Sequence, residues 1–162
     1  MTQLRDAIEA DFASIATWNE AEAHQTSAMD EARLRYLISL SSYCKVVEME
    51  GQVAAFLIAM REGAAYENDN YEWFAKRYPQ FLYVDRIVVG AQFAGHKLGS
   101  KLYQDLFAYA KAQQLSAITC EYNIEPPNPA SNAFHNKFGF KEAGSQWVAN
   151  GSKLVSLQVA VV

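Results

Sequence analysis

Two cysteines, four prolines and eight glycines in 162 residues exclude several protein classes at once. Cys44 and Cys120 show no metal-ligand spacing, and two isolated cysteines make no disulfide framework. Both sit in apolar, strand-like surroundings, where a thiol behaves as a small buried hydrophobe; catalysis by Cys120 is the alternative. Proline and glycine are too scarce for a collagen-like or low-complexity chain. No apolar run approaches the roughly 20 residues that a membrane-spanning helix needs. The start of the chain carries no basic-then-apolar leader, because Arg5-Asp6-Ala7-Ile8-Glu9 interrupts one early. A cytoplasmic protein without a membrane partner is the resulting expectation. Basic residues are also in deficit, 14 Lys and Arg against 18 Asp and Glu for a net charge of −4. That balance argues against generic nucleic-acid binding.

What is present is the composition of a globular enzyme-sized domain. Apolar residues make up 51% and charged residues 20% of the chain, enough apolar material for one sizeable core and too much for intrinsic disorder. No repeat or linker divides it, so a single domain over 1–162 is expected. Patterning predicts a short strand over 3–8 and a helix from Phe12 to about His24, capped by Asp11, with Phe12, Ile15, Ala16 and Trp18 on its apolar side. A second helix capped by Asp30 carries Leu34, Leu37 and Ile38 at helical spacing. Strands are expected over 43–48 and 52–60, joined by a hairpin at Met49-Glu50-Gly51. Further strands are expected over 81–89, 116–122, 140–147 and 153–161, with a long helix over 98–114. Asn150-Gly151-Ser152 matches a glycosylation acceptor, but Asn-Gly between two strands reads better as a hairpin turn. The order βααβββαβαββ suits an α+β fold, a mixed central sheet flanked by helices.

Residues 61–80 do not fit a tight connection. Tyr66, Tyr71, Trp73, Phe74 and Tyr78 are mixed there with Glu62, Glu67, Asp69 and Glu72. One reading is a short helix over 71–77 that buries its aromatics locally. The other is a lid, an oligomer contact, or an acidic wall of a pocket for a cationic amine.

The segment Val88-Val89-Gly90-Ala91-Gln92-Phe93-Ala94-Gly95-His96-Lys97-Leu98-Gly99-Ser100-Lys101 carries the strongest functional signal. A strand feeds a glycine-bearing turn, and helical periodicity follows at once. Backbone N–H groups at a helix start have no intrahelical acceptor, and the helix dipole is positive there, so the arrangement suits an anion. His96, Lys97 and Lys101 add basic groups. An ordinary strand–turn–helix connection, with glycines only easing the turn, accounts for the same residues.

A second segment runs from Glu121 through Asn128-Pro129-Ala130-Ser131-Asn132-Ala133-Phe134-His135-Asn136-Lys137-Phe138-Gly139-Phe140. Asn128 fits a helix N-cap with Pro129 at the first helical position, and Gly139 fits the helix end. Together the two segments resemble the GNAT superfamily of acyl-CoA-dependent N-acetyltransferases. The first is similar to its pyrophosphate loop, Gln/Arg-x-x-Gly-x-Gly/Ala, with Ala94 in the first position, Lys97 at the middle glycine, and Gly99 kept. The second is similar to its Asn-x-x-Ala-x-x-x-Tyr-x-x-x-Gly-Phe signature, with His135 at the tyrosine. The paired motifs span 81–140.

The resemblance implies a GNAT-like fold and N-acetyl transfer from acetyl-CoA to a small-molecule or peptide amine by direct attack, with a homodimer common in the superfamily. Cofactor contacts would come from Ile87, Val88 and Val89 on the strand, from Ala94, Gly95, His96, Lys97, Leu98, Gly99 and Ser100 in the loop, and from Asn128. His135 stands where the family places its general acid, and histidine can protonate a thiolate near neutral pH. Phe134 and Phe138 flank it at core-like spacing, so a packed histidine is the alternative. Asp85 shares the face of Val89 and is a candidate proton acceptor for the amine, or else a salt-bridge partner for a nearby Arg or Lys. Tyr83 on that same face and Glu121 are candidates for the acceptor pocket. The rival function is a non-catalytic acyl-CoA-binding or partner-binding module of the same fold. A P-loop hydrolase is disfavoured, because the Gly-Lys-Ser/Thr spacing is absent.

Overall fold

A computed structural model describes residues 1–22 and 29–162. Strand β1 (Thr2–Asp6) leads to helices α1 (Phe12–Ala21) and α2 (Glu31–Leu40), then strands β2 (Tyr43–Met49) and β3 (Gln52–Arg61). A short helix α3 (Asp69–Ala75) precedes strand β4 (Leu82–Val89) and the long helix α4 (Leu98–Ala112). Strand β5 (Ala117–Glu125), helix α5 (Pro129–Lys137) and strands β6 (Lys141–Val148) and β7 (Lys153–Val161) complete the chain. The strands form one mixed sheet in the order β1-β2-β3-β4-β5-β7-β6. This is the α+β class that the patterning predicts, with α3 as an added element. The far end of the first helix, near His24, lies outside the described residues.

The chain divides into two compact units, Met1–Met60 with Asp85–Leu106, and Arg61–Val84 with Phe107–Val162. In the first, β1 pairs antiparallel with β2, and β2 with β3. The turn between β2 and β3 places Glu50 and Gly51 at φ 53° and 79°, the left-handed pair that a tight hairpin needs. Every residue of β3 from Val53 to Met60 is buried, as its unbroken apolar run requires of a strand covered on both faces. Ile15, Leu34, Leu37, Val46, Phe56 and Leu102 fill this core without exposed surface.

Two capping expectations separate here. Asp30 accepts from Arg33 N at 2.7 Å and caps α2. Asp11 precedes α1 but makes no capping bond to it. Its carboxylate takes both ends of the Arg5 guanidinium, at 2.8 and 2.9 Å, and Ile8 N at 2.8 Å. A two-pronged, charge-assisted pair is stronger than one bond to a helix N–H, so it wins the carboxylate. The Arg5 bonds hold the Asp11 carboxyl below its ordinary value.

In the second unit, β4 pairs parallel with β5 at Leu82–Ile118 and Tyr83–Thr119, and β7 lies antiparallel between β5 and β6. Asn150 and Gly151 sit in the turn between β6 and β7, at φ 56° and 83°, as a hairpin requires. The aromatic insertion takes its local-burial form. Asn68 caps α3 through Asn70 N and Tyr71 N, and Tyr66, Tyr71 and Phe74 are buried. Tyr71 and Phe74 pack on Tyr83 with ring centroids 5.6 and 6.0 Å away. Trp73 covers Gly144 of β6, and Gln146 on that strand donates to Asn70 Oδ1 at 2.9 Å.

A Cβ at Gly144 would stand 2.5 Å from Trp73 Cζ2. The indole has little freedom to yield, being stacked under the Arg77 guanidinium at 3.8 Å and set edge-on to Phe74. Gly144→Ala is therefore expected to destabilise the chain by about 1–3 kcal/mol in urea unfolding. The added Trp73→Ala change should abolish most of that difference.

Candidate functional site

In the first unit, β4 runs out to Gly90, and a single turn of 3-10 helix over Ala91–Phe93 follows. Trp18 of α1 fixes this junction. Its Nε1 donates to Val53 O at 2.8 Å, and its ring lies edge-on to Phe93 at 5.9 Å. A Cβ at Gly90 would meet the indole at 3.0 Å, so the close approach depends on glycine. Gly90 N also donates to Ala54 O at 2.8 Å. Between the buried anchors Phe93 and Leu98, residues Ala94, Gly95, His96 and Lys97 are exposed. Gly99 and Ser100 are half-buried in the first turn of α4.

The backbone is left-handed at Gly95 (φ 87°) and again at Lys97 (φ 59°). Lysine thus adopts, at the motif position where the resemblance places a glycine, a backbone conformation that favours glycine, at a cost in strain. The helix begins directly after it, with Lys101 N donating to Lys97 O. The N–H groups of the preceding turn have no acceptor inside the helix. Alternating backbone conformations before a helix start turn successive N–H groups toward one side, the form of an anion-binding nest. An exposed loop of this kind, with His96 and Lys97 in it, fits a diphosphate. Lys101 is directed elsewhere and donates to Thr2 Oγ1 at 3.1 Å.

Along β4, Asp85, Ile87 and Val89 are half-buried, while Arg86 and Val88 alternate with them on the buried side. Asp85 takes the salt-bridge alternative. Arg86 Nε donates to Asp85 Oδ2 at 2.7 Å, and Arg86 Nη1 donates to Asn19 Oδ1 at 3.0 Å. The two charged side chains are 3% and 4% exposed. A buried pair of this kind is costly to break, because either partner alone would be an uncompensated charge. The adjacent arginine in the sequence was the signal for it; the contribution of Asn19, a helix apart, had none.

The second unit brings Tyr83 and Glu121 together. The fully buried Tyr83 donates its hydroxyl to Glu121 Oε2 at 2.8 Å. Tyr83 itself has no exposed surface, while Glu121 is half-buried. Asn128 caps α5 as its sequence predicts, accepting from Ser131 N at 3.2 Å. Gly139, at φ 83°, ends the helix.

His135 is 4% exposed, with the rings of Phe140, Phe134 and Tyr122 at 5.2, 5.4 and 5.8 Å. Its Nδ1 lies 2.7 Å from Ser131 O. A carbonyl oxygen only accepts, so Nδ1 carries the proton and Nε2 of the neutral ring does not. Burial pushes the pKa below the ordinary 6.5, partly offset by the Ser131 carbonyl. Cys120 is buried, and burial pushes the half-buried Cys44 thiol up to about 12. Cys44 is thus not the thiolate that nucleophilic or metal chemistry needs. Among the described residues no cluster of His, Cys, Asp and Glu suits a metal ion, and no helix is long and apolar enough to cross a membrane.

Residues 3–140 match the model of the Acetyltransferase (GNAT) family, and the chain belongs to that family, whose members use acetyl-CoA. Solved structures agree on the fold. The chain resembles the ribosomal-protein-S18-alanine N-acetyltransferase of Escherichia coli at TM-score 0.76 and 14% identity, covering 100% of this chain and 94% of that one. It resembles Ard1 of Thermoplasma volcanium at 0.80 and 15%, covering 99% and 97%. An N-acetyltransferase of Staphylococcus aureus Mu50 aligns at 0.75 and 19%, covering 99% and 98%. The NatC complex bound to Gag peptide and CoA contributes a chain that aligns at 0.76 and 13%, covering 99% and 98%. No curated protein sequence matches the chain.

Because His135 is held neutral, its burial links stability to pH with a definite sign. The unfolded chain takes up the proton near 6.5 and the folded chain only at lower pH. The stabilisation is thus complete above about 6.5 and is lost as pH falls from there toward the lowered value. Urea unfolding should show this loss as pH is lowered through 6.5. His135→Asn, whose Nδ2 stands in for Nδ1 as the donor to Ser131 O without titrating, should flatten that part of the profile.

Proposed function

We propose that the chain, as one domain over residues 1–162, transfers an acetyl group from acetyl-CoA to an amine by direct attack. The observation that supports this reading is the loop before α4, exposed between two buried anchors and left-handed at Gly95 and Lys97. In this reading residues 94–100 hold the diphosphate through backbone N–H groups, and Lys97 adds a positive charge. The backbones of Ile87, Val88 and Val89 receive the pantetheine arm; Val88 contributes through its backbone alone, since its side chain is buried. Asn128 Oδ1 is spent on capping, so a cofactor contact from this residue falls to Nδ2. Acetyl-CoA, when bound, supplies the activated thioester.

The chain's own residues then position the acceptor and move protons. Glu121, oriented by the Tyr83 hydroxyl, receives the ammonium form of the acceptor. Asp85 takes the amine proton through water, and His135 gives a proton to the leaving thiolate through Nε2. Positioning and electrostatics of this kind need no covalent enzyme intermediate. A small-molecule or peptide amine fits the half-buried carboxylate. The peptide option is supported by neighbours named for acetylating ribosomal-protein alanine and for binding a peptide with CoA. A cytoplasmic location and a homodimer complete this reading.

A second reading is favoured by two bonds. Asp85 is committed to Arg86, and the His135 proton to Ser131 O. Both proposed proton carriers are thus engaged, as in a module that binds acyl-CoA without turning it over.

Calorimetric titration with acetyl-CoA separates these cases. Saturable binding, weakened about tenfold or more by Lys97→Glu and absent with ATP, establishes the donor site. Its absence from folded protein overturns both readings. Turnover of any amine in a screen then excludes the binding module. If His135 supplies the proton, turnover rises as pH falls toward its lowered pKa, and His135→Ala costs about 10²-fold or more in kcat with acetyl-CoA affinity kept. Unchanged turnover in that variant removes His135 from the chemistry.

A further inference from the structure

Among the described residues, two buried side-chain oxygens have no hydrogen-bond partner, Thr119 Oγ1 and Gln158 Oε1. Gln158 is anchored at its other end, where Nε2 donates to Ser156 Oγ at 2.6 Å and to the Tyr122 hydroxyl at 3.2 Å. Thr119 has no such anchor, because the hydroxyl is its one polar side-chain group and the residue has no exposed surface. A buried hydroxyl left unpaired costs free energy, whereas valine of the same shape carries no such cost. Folding alone therefore favours valine at 119.

The surroundings of Thr119 give the hydroxyl a use. It is the register partner of Tyr83 at the parallel pairing of β4 with β5. Glu121 lies two residues further along β5, on the same strand face. Tyr83, which reaches Glu121 with its hydroxyl at 2.8 Å, shares that face. One carboxylate, one phenol and one unspent hydroxyl are thus gathered on adjacent strands.

We propose that Thr119 is an acceptor-binding residue, whose hydroxyl accepts an N–H from a cationic primary amine seated on Glu121. This rests on the reading of Glu121 as the acceptor's carboxylate. Since Thr119 has no surface before the amine arrives, the contact is induced, with side chains around it shifting as they commonly do on binding. A primary ammonium brings three donors, so one can remain on Glu121 while another reaches Thr119. A tertiary amine brings one donor and cannot bridge the two.

The test is a titration of 15N-labelled protein with glycinamide, a minimal primary amine, followed at the Glu121 backbone amide in wild type, Thr119→Val and Thr119→Ser. Thr119→Val should bind glycinamide about tenfold more weakly, the value of one hydrogen bond to a charged group. Its midpoint of urea unfolding should be equal to or above that of wild type, and Thr119→Ser should restore binding. Equal affinity in wild type and Thr119→Val overturns the proposal. So does a lowered unfolding midpoint in Thr119→Val, because it shows the hydroxyl to be partnered already. No glycinamide binding to wild type overturns it as well. Acetyl-CoA titration of the same samples keeps the two readings apart, since loss of donor binding counts against the acetyltransferase reading and glycinamide counts only against Thr119.

Discussion

The loop before α4 hangs on one contact, the seat of the Trp18 indole against Gly90. That contact gathers three elements of the first unit. Trp18 leaves α1, bonds the backbone of β3 at Val53, and closes on the end of β4 and on Phe93. With β4 stopped there and Leu98 buried at the start of α4, four exposed residues must make the connection. Left-handed backbone at Gly95 and Lys97 lets so short a stretch turn and enter the helix with its N–H groups grouped together. The path of the loop is therefore a consequence of packing behind it. Side chains within it are secondary to that path, since Ala94, Gly95, His96 and Lys97 are all exposed.

Burial decides which ionisable groups are available for chemistry. Asp11 and Asp85 are each held by an arginine, Arg5 and Arg86, because a carboxylate removed from water needs a compensating charge. His135 is kept neutral by burial, with its tautomer set by Ser131 O. A buried neutral histidine is a poor proton reservoir at neutral pH, yet a strong acid once protonated.

The aromatic insertion shows how a segment that looks like a lid becomes structural. Tyr66, Tyr71 and Phe74 close over Phe81 and Tyr83, with Tyr71 donating to Arg61 O at 2.6 Å and accepting from Ala64 N at 3.0 Å. Its hydroxyl is fully used, and the ring is free to pack. This shell fixes the ring of Tyr83, and through it the direction in which Glu121 points. An element remote from any expected motif in sequence therefore shapes the carboxylate most suited to an amine.

Much of this protein was legible in its residues. Strand and helix positions followed from apolar spacing, Asn128, Asp30 and Gly139 marked helix ends, and two motifs separated by one helix and one strand identified the family. These are local features, set by the backbone and by near neighbours along the chain. Partner choice between distant residues was not legible. Asp11 was expected to cap a helix and instead binds Arg5; Asp85 had two open roles until Arg86 and Asn19 closed around it; nothing near Thr119 announced an unpaired hydroxyl. Each of those outcomes depends on what lies across the fold and on how much water is excluded there. Sequence by itself determined the class of fold and the place of the strand–loop–helix junction before α4, through periodicity and turn chemistry. Only the tertiary structure decided which polar groups are spent on holding the fold and which remain for a ligand, because burial makes every such group find a partner or carry the cost.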